Sequence, residues 1–543
     1  MSANKPTLQL SDFTTSLRVL PLSLLAIAIG LLSTGVAWFL LKLIGLFTNL
    51  FYYGRLNTAL SSPAGNHLGV FAVAIPVLGS LIVGLMARYG SEKIRGHGIP
   101  EAIESILMSG SRVAPKLAIL KPISAAISIG SGGPFGAEGP IIMTGGAFGS
   151  LVAQFFHLTA AERKTLLVAG AAAGMSAVFG TPVAAVLLAV ELLLFEWKPR
   201  SAIPVALASA AAGAVRPYLI GSGPLFPVPA HSSSLGPFGI AGCLIAGLLA
   251  GALGYLLTHG VYRTEDLFHK LPIHWMWWPA IGGLIVGLGG LIFPQALGVG
   301  YDTIGILLQG HVALNILLGV LLVKSIIWIA ALGSGTSGGV VAPLLMTGAA
   351  LGGLESFFLP HLGHGFWALA SMGATLAATM GCPLTGAIFA VELTHDLNML
   401  LPLLVTCFVA YGFAVLTLKR SILTEKIARR GMHLTREYSL DPFEMIFVRE
   451  VMKTDPNSHP APVEDGVYAL AGEPVRAAMQ RMIDLHRVAL PVLTRHEGPV
   501  IGAIQLRDVV HARSRSLEEE RLRERILQIR FAPGWFARES PLP

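Results

Sequence analysis

Two stretches of this 543-residue chain spell nearly the same thing: GSGGPFGAEGPIIMTGGAFGS from Gly130 and GSGTSGGVVAPLLMTGAALGG from Gly333. Laid over each other at an offset of 203 (333 − 130), they agree at ten of twenty-one positions, including Pro140 with Pro343 and the Met-Thr-Gly after each proline. A second echo follows at an offset of 201 (382 − 181), where TPVAAVLLAVEL from Thr181 answers CPLTGAIFAVEL from Cys382. Glycine-interrupted segments repeated in two halves of an apolar chain are the pattern of membrane proteins whose site lies where the halves meet. One position breaks the symmetry chemically: Glu138 in the first copy stands opposite Val341 in the second.

Composition sets the class. Charged residues make up 13% of the chain and apolar ones 53%. Runs almost free of charge occur at Val19–Leu41, Leu68–Met86, Leu166–Phe195, Leu235–Leu257, Trp278–Gly300, Ala313–Leu332, Phe366–Leu393 and Leu397–Leu418. About 20 such residues cross a bilayer as a helix, so a polytopic all-α membrane protein is expected. No Lys-led, small-residue cleavage pattern precedes the first run, so no removable signal peptide is expected. Cys243, Cys382 and Cys407 all sit in apolar segments and read as core fillers, with no disulfide or metal framework and no cofactor implied. The absence of HExxH, GxSxG or a phosphate-cradling loop argues against an enzyme.

The net charge of +7 reads as topology, with no nucleic-acid partner implied. Arg and Lys collect in short connections: Arg88, Lys93 and Arg95; Lys198 and Arg200; Lys419 and Arg420; Arg429 and Arg430. Positive loops stay cytoplasmic, which puts the exit of the last membrane helix, and all that follows, inside the cell. The expected organisation is a polar tail over residues 1–17, a first membrane repeat over 18–220, a Gly/Pro/Ser-rich loop over 221–237 and a second repeat over 238–430. A linker over 431–447, a small α/β domain over 448–513 and a charged helical tail over 514–543 follow. In the small domain the expected strands are Ala489–Leu493 and Pro499–Ile504, joined by a turn at His496–Gly498, with a helix from Leu506.

Three glycine-flanked prolines carry the chemistry: GHGIP (Gly96–Pro100), GAEGP (Gly136–Pro140) and GVVAP (Gly339–Pro343). In each, proline sits where a helix would begin, a position at which its missing donor costs nothing. A helix N-terminus offers orphan N–H donors and about half a positive charge, so three converging starts would make an anion site without a fixed cation. The alternative, three membrane-helix kinks, fits poorly with two of them occupying matching repeat positions. A carboxylate at membrane depth is a functional-site candidate by default, which singles out Glu138. Lys324, a charge inside an apolar run, either lends the pore positive potential or faces an aqueous vestibule. Asp302 and His395–Asp396 read as helix-end residues.

These motifs resemble the signature segments of the CLC chloride channels and transporters, written GSGIP, G(K/R)EGP and GxFxP. The likeness runs through the whole membrane region in order and extends to CPLTGAIFAVELT at Cys382–Thr394. It implies a CLC-type inverted repeat of short, tilted helices, a homodimer with one pore per subunit, and location in the cell (inner) membrane. It also implies that Glu138 is the gating glutamate, competing with the anion for the pore. The anion would be held at His97, Gly98, Ile99, Gly139, Val340 and Val341, and at Leu423, which aligns with the family's inner tyrosine.

Three departures qualify the resemblance. His97 replaces the serine of the first motif, exchanging a hydroxyl for an imidazole that can be neutral or cationic. Leu423 removes the inner hydroxyl. Proton-coupled members carry an inward glutamate just after the position of Glu191, and this chain has Leu192. Leucine cannot relay protons, so passive or weakly coupled conduction of chloride or a similar anion is the expectation, and a proton-coupled exchanger the alternative. A branch serving fluoride, nitrate or bicarbonate is a further one. Glu191 could substitute as relay, but its repeat mate Glu392 points to a structural role. The C-terminal domain resembles a single CBS motif. Gln505 stands where threonine usually precedes the ribose-contacting Asp508, so a packing role is expected over nucleotide binding. A membrane-anchored sensor built on that domain is the rival from another class.

Overall fold

The computed structural model describes residues 17–232, 235–429, 446–454, 467–495 and 498–511. The polar tail expected before Arg18, most of the linker over 431–447 and the charged helix expected over 514–543 lie outside the described residues. So does most of the turn expected at 496–498.

Glycine and proline punctuate the membrane region into short helices. The first half runs α1 (Val19–Tyr53), α2 (Ala74–Tyr89), α3 (Ile99–Met108), α4 (Pro115–Gly130) and α5 (Glu138–Gln154). It continues with α6 (Ala160–Phe179), α7 (Pro182–Leu188, prolonged by π-helical turns to Leu194) and α8 (Pro199–Leu219). The second half runs α9 (Pro237–His269), α10 (Trp278–Ile292), α11 (Tyr301–Leu308), α12 (Leu314–Leu318) and, through a π-helical stretch, α13 (Ser325–Gly333). Then come α14 (Val341–Glu355), α15 (Phe366–Met380), α16 (Pro383–Thr394), α17 (Leu400–Thr417) and the terminal α18 (Ile422–Arg429).

The packing repeats with the sequence. Helix α5 packs on α6 as α14 packs on α15, and α1 packs on α8 and α6 as α9 packs on α17 and α15. Two pairs join an element to its own mate, α2 with α10 and α7 with α16, as a pseudo-two-fold relation between the halves requires.

Seven of the described helical segments are long and apolar enough to cross a membrane. Two of the eight apolar runs expected to do so are hairpins. In Leu166–Phe195 the break is Gly180, left-handed at φ 70°, followed by Pro182 at the start of α7. In Phe366–Leu393 it is Gly381, at φ 71°, followed by Pro383 at the start of α16. Glycine takes the left-handed cap without strain and proline cannot continue the preceding helix, so the chain turns at the same point in both halves. Helices α5 and α14 begin at Glu138 and Val341, and α3 at Ile99, as their prolines lead one to expect.

Beyond α18 the described residues form a small sheet. Strand β1 (Ala469–Leu470) pairs parallel with β2 (Ala489–Leu493), which pairs antiparallel with β3 (Val500–Gln505). A helix over Val475–Asp484 covers it, with Val448, Val475, Leu490 and Ile504 in a core of their own. The two longer strands fall within one residue of their expected positions, and helical backbone resumes at Leu506.

Close backbone approach holds the membrane helices together. A side chain on Gly145 would run into the carbonyl of Gly170, and one on Gly170 into that of Gly145. The mates repeat the contact, since a Cβ at Gly348 would fall 2.7 Å from the carbonyl oxygen of Ser371. Small residues permit such packing where lipid removes the hydrophobic drive for helices to associate. Gly145→Val or Gly170→Val is therefore expected to cost about 1–3 kcal/mol or more from overpacking. The loss would be read as a fall in monodisperse protein eluting from size-exclusion chromatography in mild detergent.

Candidate functional site

The three glycine–proline loops are stitched together by their own backbones. Gly96 N–H donates to the Thr336 carbonyl at 3.2 Å, and Gly338 N–H to the Gly96 carbonyl at 3.4 Å. Gly136 and Gly339 exchange both bonds, at 3.2 and 2.9 Å. The starts of α3 and α5 touch directly: a Cβ at Gly98 would lie 2.5 Å from the Gly139 carbonyl oxygen, and one at Gly139 would strike the carbonyl of His97. The loops around His97, Gly98, Ile99, Gly139, Val340 and Val341 are thus brought together, all buried. Gly98, at φ 91°, caps α3 and donates its N–H to Glu101 Oε2 at 2.9 Å.

Glu138 stands at the first position of α5 with 1% of its surface exposed. Its carboxylate lies over Gly136, where any side chain would collide with it, and a Cβ at Gly339 would come within 2.9 Å of Oε2. Oε2 is buried and has no hydrogen-bond partner among the described residues, while Oε1 accepts from the Tyr301 hydroxyl at 3.4 Å. The carboxylate therefore sits between the starts of α5 and α14. Tyr301, the first residue of α11, is packed edge-on against Phe179 and Phe226, with ring centroids 6.3 and 6.0 Å away. Sequence reading missed Tyr301; its available signal was the GVGY of Gly298–Tyr301, which repeats the GHGI of Gly96–Ile99.

Helix starts alone do not make the site; two wholly buried lysines support it. Lys121 Nζ donates to the carbonyls of Ile94 (2.8 Å) and Gly96 (2.7 Å) and to Ser337 Oγ (3.2 Å). Lys324 Nζ donates to the carbonyls of Ala296 (2.9 Å) and Gly298 (2.7 Å). The two are repeat mates, 203 positions apart (324 − 121), and each grips the loop ahead of the same helix in its half. This corrects the expectation of a site without fixed cations. It also removes the vestibule reading of Lys324, which has no exposed surface.

Leu423 lies at the start of α18, wholly buried, and α18 packs on α3. Tyr262 donates its hydroxyl to the carbonyl of Ile422, and Lys426 Nζ meets Glu101 Oε1 at 2.6 Å. The position expected to supply an inner hydroxyl instead presents a leucine to the core, one turn from an ion pair that fixes α18 against α3.

Glu191 and Glu392 answer each other across the halves. Glu191 accepts from Leu384 N–H (3.3 Å), Thr385 N–H (2.9 Å) and Thr385 Oγ1 (2.5 Å) at the start of α16. Glu392 accepts from Val183 N–H (3.0 Å) and Ala184 N–H (2.7 Å) at the start of α7. Each carboxylate caps the other half's helix, satisfying orphan donors and complementing the helix dipole. Leu192, beside Glu191, has no exposed surface and packs in the main core. Asp302 lies in the first turn of α11, His395 is the left-handed residue after α16, and Asp396 accepts from Asn398 N–H at 3.1 Å. Among the described residues no group of three or more His, Cys, Asp or Glu has metal-binding geometry.

Comparison with known proteins bears on the same region. The family model described as voltage gated chloride channel matches residues 78–415. The H(+)/Cl(−) exchange transporter ClcA of Citrobacter koseri is 32% identical over 367 residues, covering 62% of this chain and 75% of that one. Its namesake in Klebsiella pneumoniae subsp. pneumoniae is 33% identical over 341 residues, covering 60% and 71%. Among solved structures, a slow cyanobacterial Cl−/H+ antiporter superposes with a TM-score of 0.65 at 22% identity, over 77% of this chain and 99% of that one. A CLC-type fluoride/proton antiporter gives 0.62 at 20%, over 74% and 97%. At these identities the structures speak for the fold.

The cross-capping of α7 and α16 yields a test. Glu191→Ala leaves two N–H groups and a hydroxyl without their acceptor, each unsatisfied buried group costing about 1–3 kcal/mol. A clear drop in detergent melting temperature is expected, smaller for Glu191→Gln, which keeps an acceptor oxygen. Neither change should alter the pH dependence of transport; an altered profile would make Glu191 a proton relay.

Proposed function

The chain belongs to the voltage-gated chloride channel (CLC) family, and from that premise we propose that it exchanges chloride, or a similar small anion, for protons, with Glu138 as the gate that both ions use. The observation that carries this reading is the carboxylate of Glu138, buried between the starts of α5 and α14 with Oε2 unpartnered among the described residues. An ionised carboxylate there occupies the space in which converging N–H groups would hold an anion. Once protonated it loses its attraction for that cage, leaves, and admits the anion. The same group thus binds the proton and yields to chloride, the coupling an exchanger needs.

Proton exchange is preferred to passive conduction because the relatives about a third identical to this chain over the aligned residues are named H(+)/Cl(−) exchange transporters. Leu192 and the capping role of Glu191 support a second reading, conduction with little or no coupling. Under the first reading the proton's inner leg bypasses positions 191 and 192. His97, buried at the start of α3, is the side chain assigned to anion preference. By the same resemblance the protein is a homodimer in the cell membrane with its C-terminal domain in the cytoplasm. That domain is read as a single CBS-like unit without a nucleotide. Asp508 already accepts from Gln505 N–H at 3.2 Å and pairs with Lys453 at 3.3 Å, which supports a packing role.

Purified protein in liposomes, followed with chloride and pH electrodes together, tests the proposal. A chloride gradient is expected to drive uphill proton movement, and Glu138→Gln to abolish that movement and the pH dependence while anion flux persists. Chloride flux without proton movement in the unmodified protein would establish the passive reading instead. A wild-type pH profile in Glu138→Gln would remove the gate assignment. His97→Ser is expected to shift anion permeability ratios; unchanged ratios at acidic and alkaline pH would exclude His97 from selectivity.

A further inference from the structure

The pseudo-two-fold relation that sets Glu138 opposite Val341 also sets Tyr301 opposite Ile99. The loop ahead of α11, Gly298-Val299-Gly300-Tyr301, repeats Gly96-His97-Gly98-Ile99 ahead of α3. All four glycines have positive φ, 64° and 81° at Gly298 and Gly300, 85° and 91° at Gly96 and Gly98. Each loop hangs on the mated lysine, Lys324 or Lys121, through carbonyls at matching places. The backbone framework is therefore duplicated, and the side chains at these two pairs of positions are not. One half contributes a carboxylic acid where the other has valine, and the other half contributes a phenol where the first has isoleucine. The two polar exceptions meet.

From this juxtaposition we propose that Tyr301 is a positioning residue for Glu138, a latch whose hydroxyl holds the gate carboxylate in its closed position. The inference deepens the gate reading of Glu138 and rests on it. The bond to Glu138 Oε1, at 3.4 Å, is the hydroxyl's only one among the described residues. The ring is braced edge-on by Phe179, itself edge-on to Phe389 at 5.1 Å, and by Phe226. Phe226 is in turn tied to the end of α16 by its N–H to the Leu393 carbonyl at 3.0 Å. An aromatic cradle leaves the phenol few other places to go, so the latch is preorganised. Phenol to carboxylate is a charge-assisted hydrogen bond when the carboxylate is ionised and a weaker one when it is neutral. The latch therefore acts on the ionised gate and releases the protonated one. Among the described residues, Lys324 is the charged group within electrostatic reach of Glu138, and Tyr301 is the titratable group bonded to it.

A double-mutant cycle on the full-length protein in liposomes tests this, with chloride flux read across acidic and alkaline buffers. Tyr301→Phe keeps the ring and its packing and removes only the hydroxyl. A long hydrogen bond to a charged acceptor predicts a rise of about three- to tenfold in alkaline flux. In the Glu138→Gln background the same change is expected to alter flux less than about twofold, since a neutral amide is held weakly, and to leave acidic flux alone in both backgrounds. An equal effect of Tyr301→Phe with and without the carboxylate, or none in either, overturns the latch while the gate stands. A Glu138→Gln protein that retains the wild-type pH profile overturns the gate itself, and the latch with it.

Discussion

The structure depends on how helix starts are satisfied away from water. Backbone N–H and C=O groups inside a membrane have no solvent to turn to, and non-helical chain survives there only when protein supplies the partners. The loops at Gly96, Gly136 and Thr336–Gly339 solve this by bonding one another, with Lys121 gathering the carbonyls that remain. Glycine is needed where the loops touch, because the Gly98–Gly139–His97 and Gly136–Gly339 contacts leave no room for a Cβ. What results is a small region where several helices begin inside the protein with their N-termini together, the arrangement on which the proposed anion site rests.

Duplication turns each local solution into two. Lys324 repeats Lys121, and Gly381 repeats the turn at Gly180. The capping carboxylates go further by crossing over: Glu191 serves α16 and Glu392 serves α7, so neither half satisfies its own helix start. Halves joined in this way cannot separate without leaving buried donors unpaired, a large cost where no water can substitute. The same engagement supports a structural reading of Glu191, since a carboxylate holding three donors is poorly suited to passing protons.

Much of this was legible in the sequence. The repeat offset, the starts of α5 and α14 and the isolation of Glu138 could be read from letters, because glycine, proline and a lone acid constrain backbone wherever they fall. The shared capping geometry of Glu191 and Glu392 was foreshadowed by their being repeat mates. Three features were hidden. The apolar runs Leu166–Phe195 and Phe366–Leu393 look like single spans because hydropathy does not register a hairpin turning on one glycine. Lys121 sits among charges and prolines that suggest a surface helix, and only its distance from Lys324 marks it as buried. Tyr301 reads as an ordinary aromatic until the chain brings it across to Glu138, a contact spanning 163 positions.

The asymmetry placed on this symmetric frame gives the site its chemistry. Near the α3 loop, Lys426 pairs with Glu101 at 2.6 Å, and Lys121 lies within electrostatic reach of the same carboxylate. Near the α11 loop, Lys324 has Glu138 as its counter-charge. On the proposed gate reading, proton uptake at Glu138 withdraws a competitor for the anion's place. Charge felt through a low-dielectric interior is worth several times its value in water, so under that reading a single proton at position 138 would change the affinity of the whole cage for an anion. Val341, opposite, cannot titrate, so under the proposed reading only one of the two mated positions responds, and a duplicated scaffold acquires a single gate.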